Sequence, residues 1–311
     1  MEKIAVYTTI YPGVEAYLED WYRSVRAQTD QNFQLWIGLD GIEAAAVESV
    51  IGTRLEAVWV LSKPDNTPAR IRQRSLAQIV EDFDAVVLVD SDDILDPTRV
   101  ASARAALQTS ELAACALRLV DQHRQDLGTT LTLPECVAPD NILPRNNVFG
   151  FSNSAYRSEL LRRCLPLPAG TALVDWFLAT KAWLTGGKLA FDPIVRMEYR
   201  QHGANMAPIR FPFDANQVIR DTKKVREHYY LLLASPMENA RPDRWAQVQE
   251  AATDVQLFSE QVISQPEKLE NYIRNLNTLE PQVVWWWDVA QPALQWMWKD
   301  NSGVRYEASK N

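Results

Sequence analysis

Hydrophobic residues along the amino-terminal third of the chain follow two periodicities in turn. In four segments they occupy alternate positions or short unbroken runs, which predicts β-strands. The four segments are 4–9, 33–39, 58–61 and 85–89. Between them apolar residues recur at spacings of three and four, as from Val14 to Ala27, and this predicts amphipathic helices. Strands that alternate with helices predict a parallel sheet with right-handed crossover connections.

The fourth strand is followed by a cluster of carboxylates. Residues 85–89 are five consecutive apolar residues, which predicts a strand buried on both faces, and Asp90, Asp92 and Asp93 come directly after it. Ligands of open α/β sheets bind at the carboxyl ends of the strands. Clustered carboxylates suit Mg²⁺ or Mn²⁺ held together with substrate phosphates. The alternative is a solvated turn, since Asp is common after strands and at helix starts.

The pattern changes after about residue 212. Helical spacings predict three further helices, over 218–233, 243–264 and 266–279, without a strand signal. We therefore predict a helical carboxyl-terminal region, 213–311, appended to an α/β domain over 1–212.

Tryptophans are concentrated in the last part of this region. They are Trp285, Trp286, Trp287, Trp296 and Trp298. They could stack on a sugar or touch a lipid-linked molecule. Because the segment lacks the Lys/Arg-rich face of a membrane-surface helix, we favour packing between helices, and a homodimer interface stays open.

Composition narrows the functional classes. The 311 residues are 47% hydrophobic and 23% charged, as in globular proteins. A net charge of −8 argues against nucleic acid as a partner. The chain has no apolar run long enough for stable membrane insertion, no signal-peptide core, and three scattered cysteines without metal-ligand spacing. These features predict a cytoplasmic enzyme or a cytoplasmic binding protein.

Several short motifs occur in a fixed order over roughly residues 1 to 210. Ser24-Val25-Arg26-Ala27-Gln28 ends the first helix, the second strand ends at Asp40, and a helix with three arginines precedes Asp90-Ser91-Asp92-Asp93. Farther along, Val174-Asp175 begins an apolar helix, and residues 197–205 read Met-Glu-Tyr-Arg-Gln-His-Gly-Ala-Asn. In this order the motifs resemble those of the family 2 glycosyltransferases. Most members have Glu-Asp where this chain has Val174-Asp175.

The resemblance implies a fold and a reaction. The fold is a Rossmann-like α/β sheet of the A-type, nucleotide-sugar-binding kind, flanked by helices, and it would occupy 1–212. The reaction is transfer of a sugar, with inversion, from a UDP- or dTDP-sugar donor to a hydroxyl group of a glycan or lipid-linked acceptor. Such a reaction belongs to polysaccharide or glycoconjugate synthesis.

The resemblance also implies roles for particular residues. Asp92 and His202 would bind Mn²⁺ or Mg²⁺, and Asp175 would be the general base. The donor would contact Thr8, Tyr11, Asp40, Arg70, Arg74, Asp90 and Ser91. The position of the family's donor-facing arginine is matched by Arg74 in its distance from the carboxylates and by Arg70 in its local sequence.

Each of these roles has a simpler alternative. Asp40 precedes a glycine and also fits an ordinary turn. Asp175 also fits a helix N-cap. A lone His such as His202 is more often a packed or surface residue than a metal ligand.

Three other functional classes share part of the pattern. A sugar nucleotidyltransferase should have a Gly-rich phosphate loop, which this sequence lacks. A phosphatase with an Asp nucleophile would carry an Asp pair on the first strand, where this chain has none. A non-catalytic sugar-nucleotide- or glycan-binding module of the same fold is the remaining alternative, because the Glu before Asp175 is absent.

Overall fold

A mixed sheet of nine strands forms the centre of the computed structural model, which describes residues 3–64, 67–134, 136–203, 205, 207–235, 237 and 239–299. The strands are β1 Ile4–Ile10, β2 Phe33–Leu39, β3 Ala57–Val60, β4 Ala85–Leu88, β5 Ile94–Leu95, β6 Leu112–Asp121, β7 Asp126–Leu131, β8 Ser154–Arg157 and β9 Leu189–Gln201. Their order is β3-β2-β1-β4-β8-β6-β9-β5, and β7 pairs with β6 outside this path.

Helices cover the sheet and extend beyond it. They are α1 Leu18–Arg26, α2 Ala44–Ile51, α3 Pro68–Asp82, α4 Arg99–Ala106, α5 Ser158–Cys164, α6 Val174–Leu184, α7 Ala215–Ala234, α8 Pro242–Phe258 and α9 Pro266–Leu276. Short 3₁₀ helices lie at Glu15–Tyr17, Pro139–Asn141 and Pro292–Met297, and a π-helical turn, Ser259–Ile263, follows α8. No helix in the described part of the chain is both long and apolar enough to cross a bilayer.

The parallel pairing predicted from the amino-terminal pattern is confirmed for β1 to β4. Beyond β4 the sheet is mixed, because β8 pairs antiparallel with both β4 and β6, whereas β6 pairs parallel with β9. All seven residues of β1 and all four of β4 are buried. Burial at every position means that both faces of these strands are covered, which explains their unbroken apolar sequences.

Three parallel strands end side by side at one edge of the sheet. Ile10 pairs with Leu39, and the backbone N–H of Asp40 donates to the carbonyl of Ile10 at 2.9 Å. The N–H of Val89, just after β4, donates to the carbonyl of Tyr7 at 3.1 Å. The residues that follow β1, β2 and β4 therefore emerge together at this edge.

The carboxyl-terminal helices are confirmed with slightly shifted ends. Their buried side chains belong to the same hydrophobic core as the sheet. The hydroxyl of Tyr229 donates to the carbonyl of Pro144 at 2.6 Å, and Arg145 pairs with Asp254 at 2.6 Å. After α9 the chain returns to the sheet, where Trp285 forms an antiparallel bridge with Asn147. The division of the chain at residue 212 stays a prediction.

Candidate active site

A cleft of about 360 Å³ opens where β1, β2 and β4 end. The sheet edge and α3 supply the polar side chains of Tyr11, Asp40, Arg72, Asp90 and Asp92. The later part of the chain supplies Gly150, Phe151, Ala172, Leu173, Asp175, Tyr199, Trp285 and Trp286. The cleft thus brings together residues from almost the whole length of the chain. Clefts of this size with a few convergent polar groups are where small molecules bind.

The carboxylate of Asp90 lies inside this cleft and is held by two contacts. It accepts hydrogen bonds from Arg72 Nη2 at 3.0 Å and from the Ser152 hydroxyl at 3.3 Å. Burial raises the pKa of Asp90 above its ordinary value, the positive charge of Arg72 opposes this, and the charge of Asp92 adds to it. Burial therefore disfavours the charged form of Asp90, and the guanidinium of Arg72 stabilises it.

Asp93 has a different environment from Asp90 and Asp92. It is 1% exposed, accepts from the backbone N–H of Arg200 at 2.8 Å, and is contacted by the Ser152 hydroxyl. Burial and the two neighbouring carboxylates raise the pKa of Asp93 well above its ordinary value. Asp93 thus ties the turn after β4 to β9 and does not line the cleft.

Asp92 and His202 form a pair beside the cleft. His202 Nε2 lies 2.8 Å from Asp92 Oδ2, and both side chains are less than 10% exposed, at 6% and 8%. The ring of Tyr17 packs on His202 with 5.0 Å between centroids. Arg200 donates to the carbonyl of Asp92 at 2.8 Å and lies 4.7 Å from the Tyr17 ring, so the pair is fixed from several sides.

Asp92 and His202 are side chains of the kind that bind a divalent cation together with a substrate. Within the described ranges, no cluster of three or more His, Cys, Asp or Glu side chains could hold a metal ion without help. Asp92 lines the cleft and His202 Nε2 lies 2.8 Å from its Oδ2, so an oxygen and a nitrogen donor lie side by side. Mg²⁺ and Mn²⁺ commonly take a few protein ligands and complete their coordination with phosphate oxygens and water. The residues present therefore fit an ion that binds together with a diphosphate.

Asp175 lies in the first turn of α6 and faces the same cleft. The N-cap is Leu173, so the alternative role of Asp175 as the N-cap is wrong, although the helix dipole still favours a carboxylate in this turn. Burial raises the pKa of Asp175. The backbone N–H of Trp176, the charge of Arg72 and a hydrogen bond of 3.1 Å from Asn147 Nδ2 act in the opposite direction.

Solved structures with the same arrangement of strands and helices are glycosyltransferases. TarS residues 1–349 from S. aureus, in complex with UDP, superimposes with a TM-score of 0.57 over 87% of this chain and 78% of its own, at 16% identity. The mannosyltransferase PcManGT from Pyrobaculum calidifontis, with GDP-Man and Mn²⁺, superimposes with a TM-score of 0.57 over 89% and 76%, at 15% identity. This chain has the A-type glycosyltransferase fold. No protein-family model matches its sequence, and no curated protein matches it significantly.

The arginine that reaches the cleft of this glycosyltransferase fold is Arg72. Its guanidinium lies 4.0 Å from the Phe151 ring as well as against Asp90. Arg70 and Arg74, named from the resemblance, are not among the residues that line the cleft, and Arg74 Nη2 donates to the carbonyl of Leu61 at 3.2 Å. Arg72 precedes the buried Leu76 by four residues on α3, and this helical spacing was the sequence signal for its inward position.

The other donor residues named from the sequence divide into two groups. Tyr11 and Asp40 line the cleft. Thr8 is fully buried in β1, and its neighbour Thr9 lines the cleft because successive strand residues point to opposite faces. Ser91 is fully buried too, and its hydroxyl donates to the carbonyl of Thr9 at 2.9 Å. Donor contacts of all these residues stay predictions.

The tryptophan run both packs and lines the cleft. Trp286 stacks on Trp176 with 6.3 Å between centroids, and Trp285 meets Tyr199 edge to face at 5.7 Å. Trp285, Trp286 and Trp287 are 5–7% exposed. Packing between helices is the role predicted from the sequence for these tryptophans. No pattern in the sequence predicted that Trp285 and Trp286 would lie beside Asp175.

Proposed function

We propose that this protein is a metal-dependent, inverting glycosyltransferase that moves a sugar from a nucleoside diphosphate donor to a hydroxyl acceptor. The supporting observation is that one cleft brings Asp92, whose carboxylate contacts His202, together with a buried carboxylate, Asp175, from a distant part of the chain. Asp92 and His202 match one chemical demand of the reaction, stabilisation of the departing diphosphate. Asp175 matches the other, removal of a proton from the attacking hydroxyl.

Asp92 and His202 would hold Mn²⁺ or Mg²⁺ at the donor's diphosphate. When bound, the ion supplies Lewis-acid stabilisation of the negative charge on the leaving group. Asp90, which pairs with Arg72, would accept a hydrogen bond from the donor's ribose. Arg72 adds a positive charge on the same side of the cleft, which opposes repulsion between the carboxylates and the diphosphate.

Asp40 is the candidate for recognition of the donor's base. It follows β2 and lines the cleft, and its carboxylate can accept a hydrogen bond from the imide N–H of uracil or thymine. Adenine has no ring N–H to donate, whereas guanine has one, so Asp40 by itself distinguishes uracil and thymine only from adenine. The resemblance to the family 2 glycosyltransferases adds the preference for uracil or thymine, and we propose a UDP- or dTDP-sugar as donor.

Asp175 is the candidate general base. It takes the proton of the acceptor hydroxyl as the oxygen attacks the anomeric carbon from the face opposite the diphosphate, and a single displacement of this kind inverts the configuration. Because burial raises the pKa of Asp175, the carboxylate is a better proton acceptor than an exposed one. The largely apolar residues beside it leave room for a glycan or a lipid-linked acceptor.

The test is a panel of nucleotide sugars with Mn²⁺, followed by donor turnover and by calorimetry. We expect turnover of a UDP- or dTDP-sugar, and much weaker binding of the nucleoside diphosphate in excess chelator. Asp92→Asn should weaken metal and nucleotide binding together. Equal affinity in chelator would contradict the metal assignment, and tighter binding of GDP would contradict the base preference. Binding without turnover of any donor would instead favour a non-catalytic module.

A further inference from the structure

Asn147 is buried next to the candidate base, and all its polar groups are used. Its side chain is 0% exposed. Its Oδ1 accepts from the backbone N–H of Phe149 at 2.9 Å, and its Nδ2 donates to Asp175 Oδ2 at 3.1 Å and to the carbonyl of Phe149 at 3.3 Å. The first bond needs an oxygen and the second needs an N–H, so together they fix which way the amide points.

The backbone of Asn147 is paired with the carboxyl-terminal part of the chain. Its N–H donates to the carbonyl of Trp285 at 3.3 Å, and its carbonyl accepts from the N–H of Trp285 at 3.1 Å. Asn147 thus joins two elements that are far apart in sequence, the start of α6 and the segment 284–288, which we call the tryptophan segment.

The tryptophan segment also contacts the residue next to Asp175 in the chain. Trp286 stacks on Trp176, the residue that follows Asp175, with an angle of 10° between the rings. The backbone of Trp286 has a φ of 69°, a left-handed conformation that is costly for a residue with a side chain. Such a conformation persists only where the surroundings hold it, and it is common at functional sites.

We propose that Asn147 is a positioning residue for Asp175, and that the tryptophan segment fixes the base through it. The proposal rests on the assignment of Asp175 as general base. A neutral amide suits this role because it orients the carboxylate and stabilises its charged form without neutralising it. A lysine or arginine at the same place would lower the basicity of the carboxylate much further. The site would then be complete only when the carboxyl-terminal region is in place.

The decisive variant is Asn147→Asp. It keeps the oxygen that accepts from Phe149, and it replaces the N–H that faces Asp175 with a second carboxylate. Loss of the hydrogen bond and the added negative charge both raise the pKa of Asp175. We expect the acid limb of the kcat–pH profile to move to higher pH and kcat at neutral pH to fall about 10- to 100-fold. The Kd of the nucleoside diphosphate with Mn²⁺ should stay within about twofold.

Asn147→Ala and Asn146→Ala complete the comparison. Asn147→Ala should shift the acid limb in the same direction by a smaller amount, since it adds no charge. Asn146 is the matched control, because its Nδ2 contacts the carbonyl of Trp285 at 3.4 Å and no bond joins it to Asp175. Its alanine variant should keep the wild-type pH profile.

Asp175→Asn, measured in parallel, separates the two hypotheses. If Asp175→Asn abolishes turnover while a folded Asn147→Asp keeps the wild-type kcat and pH profile, the positioning role is wrong and the base assignment stands. If Asp175→Asn itself keeps wild-type turnover, the base assignment fails and the positioning role fails with it. A change only in the melting temperature of the Asn147 variants, without a shift of the pH profile, would also overturn the proposal.

Discussion

At the scale of single residues, Asp175 is the group whose removal should affect chemistry and leave binding intact. Asp175→Asn keeps the size of the side chain and an acceptor oxygen for the backbone N–H of Trp176. An interaction made mainly in the transition state lowers kcat when it is removed. We expect kcat to fall by about 10²–10⁴, with near-normal donor affinity.

The same substitution should change the stability of the protein little. Because burial raises the pKa of Asp175, a neutral amide removes the cost of the buried charge, and this offsets the loss of one of the two acceptor oxygens that the Trp176 N–H and Asn147 Nδ2 use. Transfer rates, donor titration and a melting curve on the variant provide the test. Turnover close to that of the wild type would leave Asp175 with only a role in the first turn of α6.

Arg72 is the second residue with a specific prediction. Arg72→Gln removes the positive charge beside Asp90 and leaves that partly buried carboxylate without its ion-pair partner. The pKa of Asp90 should rise further, and the cleft should become more negative when Asp90 is ionised. We expect the nucleoside diphosphate to bind about tenfold more weakly in the presence of Mn²⁺.

Arg74→Gln is the matched control for Arg72→Gln. Arg74 lies on the same helix, contacts the carbonyl of Leu61 and is not among the residues that line the cleft. Calorimetry should therefore show weaker binding of the nucleoside diphosphate to Arg72→Gln and wild-type binding to Arg74→Gln. Equal losses of affinity, or a loss only in Arg74→Gln, would show that a different arginine serves the donor.

At the scale of elements, Gly150 determines how closely the tryptophan segment approaches the loop before β8. A Cβ at Gly150 would lie 2.5 Å from the indole of Trp285, and an indole ring cannot bend away as a flexible side chain would. Gly150→Ala must therefore displace Trp285 or the loop. We expect a loss of about 1–3 kcal/mol of stability, the usual cost of overpacking, together with a lower kcat.

Gly170→Ala is the control for this substitution. A Cβ at Gly170 meets nothing within 4 Å, so this variant should be as stable as the wild type or slightly more stable. Denaturant unfolding and donor turnover on the two variants make the comparison. Similar stability and kcat for Gly150→Ala and the wild type would mean that the position of Trp285 matters little.

At the scale of the whole molecule, buried carboxylates should make stability depend on pH. Asp288 is 3% exposed, and its Oδ2 has no hydrogen-bond partner among the described residues. Burial and the neighbouring Asp221 raise the pKa of Asp288 above its ordinary value of 3.8. A raised pKa in the folded state means that the stabilising contribution is present at low pH and is lost as the pH rises through the folded-state pKa.

Asp288→Asn should remove part of this dependence. We expect its melting temperature to exceed that of the wild type by roughly 2–4 °C at pH 8 and to differ little at pH 4. Asp254→Asn provides the contrast, because Asp254 is buried but pairs with Arg145 and Lys299, both at 2.6 Å. That variant should melt below the wild type at pH 8. A lower melting temperature for Asp288→Asn at pH 8 would contradict the prediction.

The amino-acid sequence by itself determined the local elements and the edge at which the cleft lies. The apolar run 85–89 and the carboxylates after it are adjacent in the chain, so the buried strand and the polar turn that follows it could be recognised without any distant contact. The same holds for the helices beyond residue 212, whose apolar residues recur with the helical period. Local periodicity records which side of an element is buried.

Only the tertiary structure decided which side chains meet. The choice of Arg72 depends on how α3 is rotated against the sheet, and the choice of Thr9 depends on which face of β1 borders the cleft. The antiparallel pairing of β8 and the contact of Trp285 with Asn147 join segments that are far apart along the chain. Such contacts arise because the core forms from all the elements at once, so no single segment carries the information that specifies them.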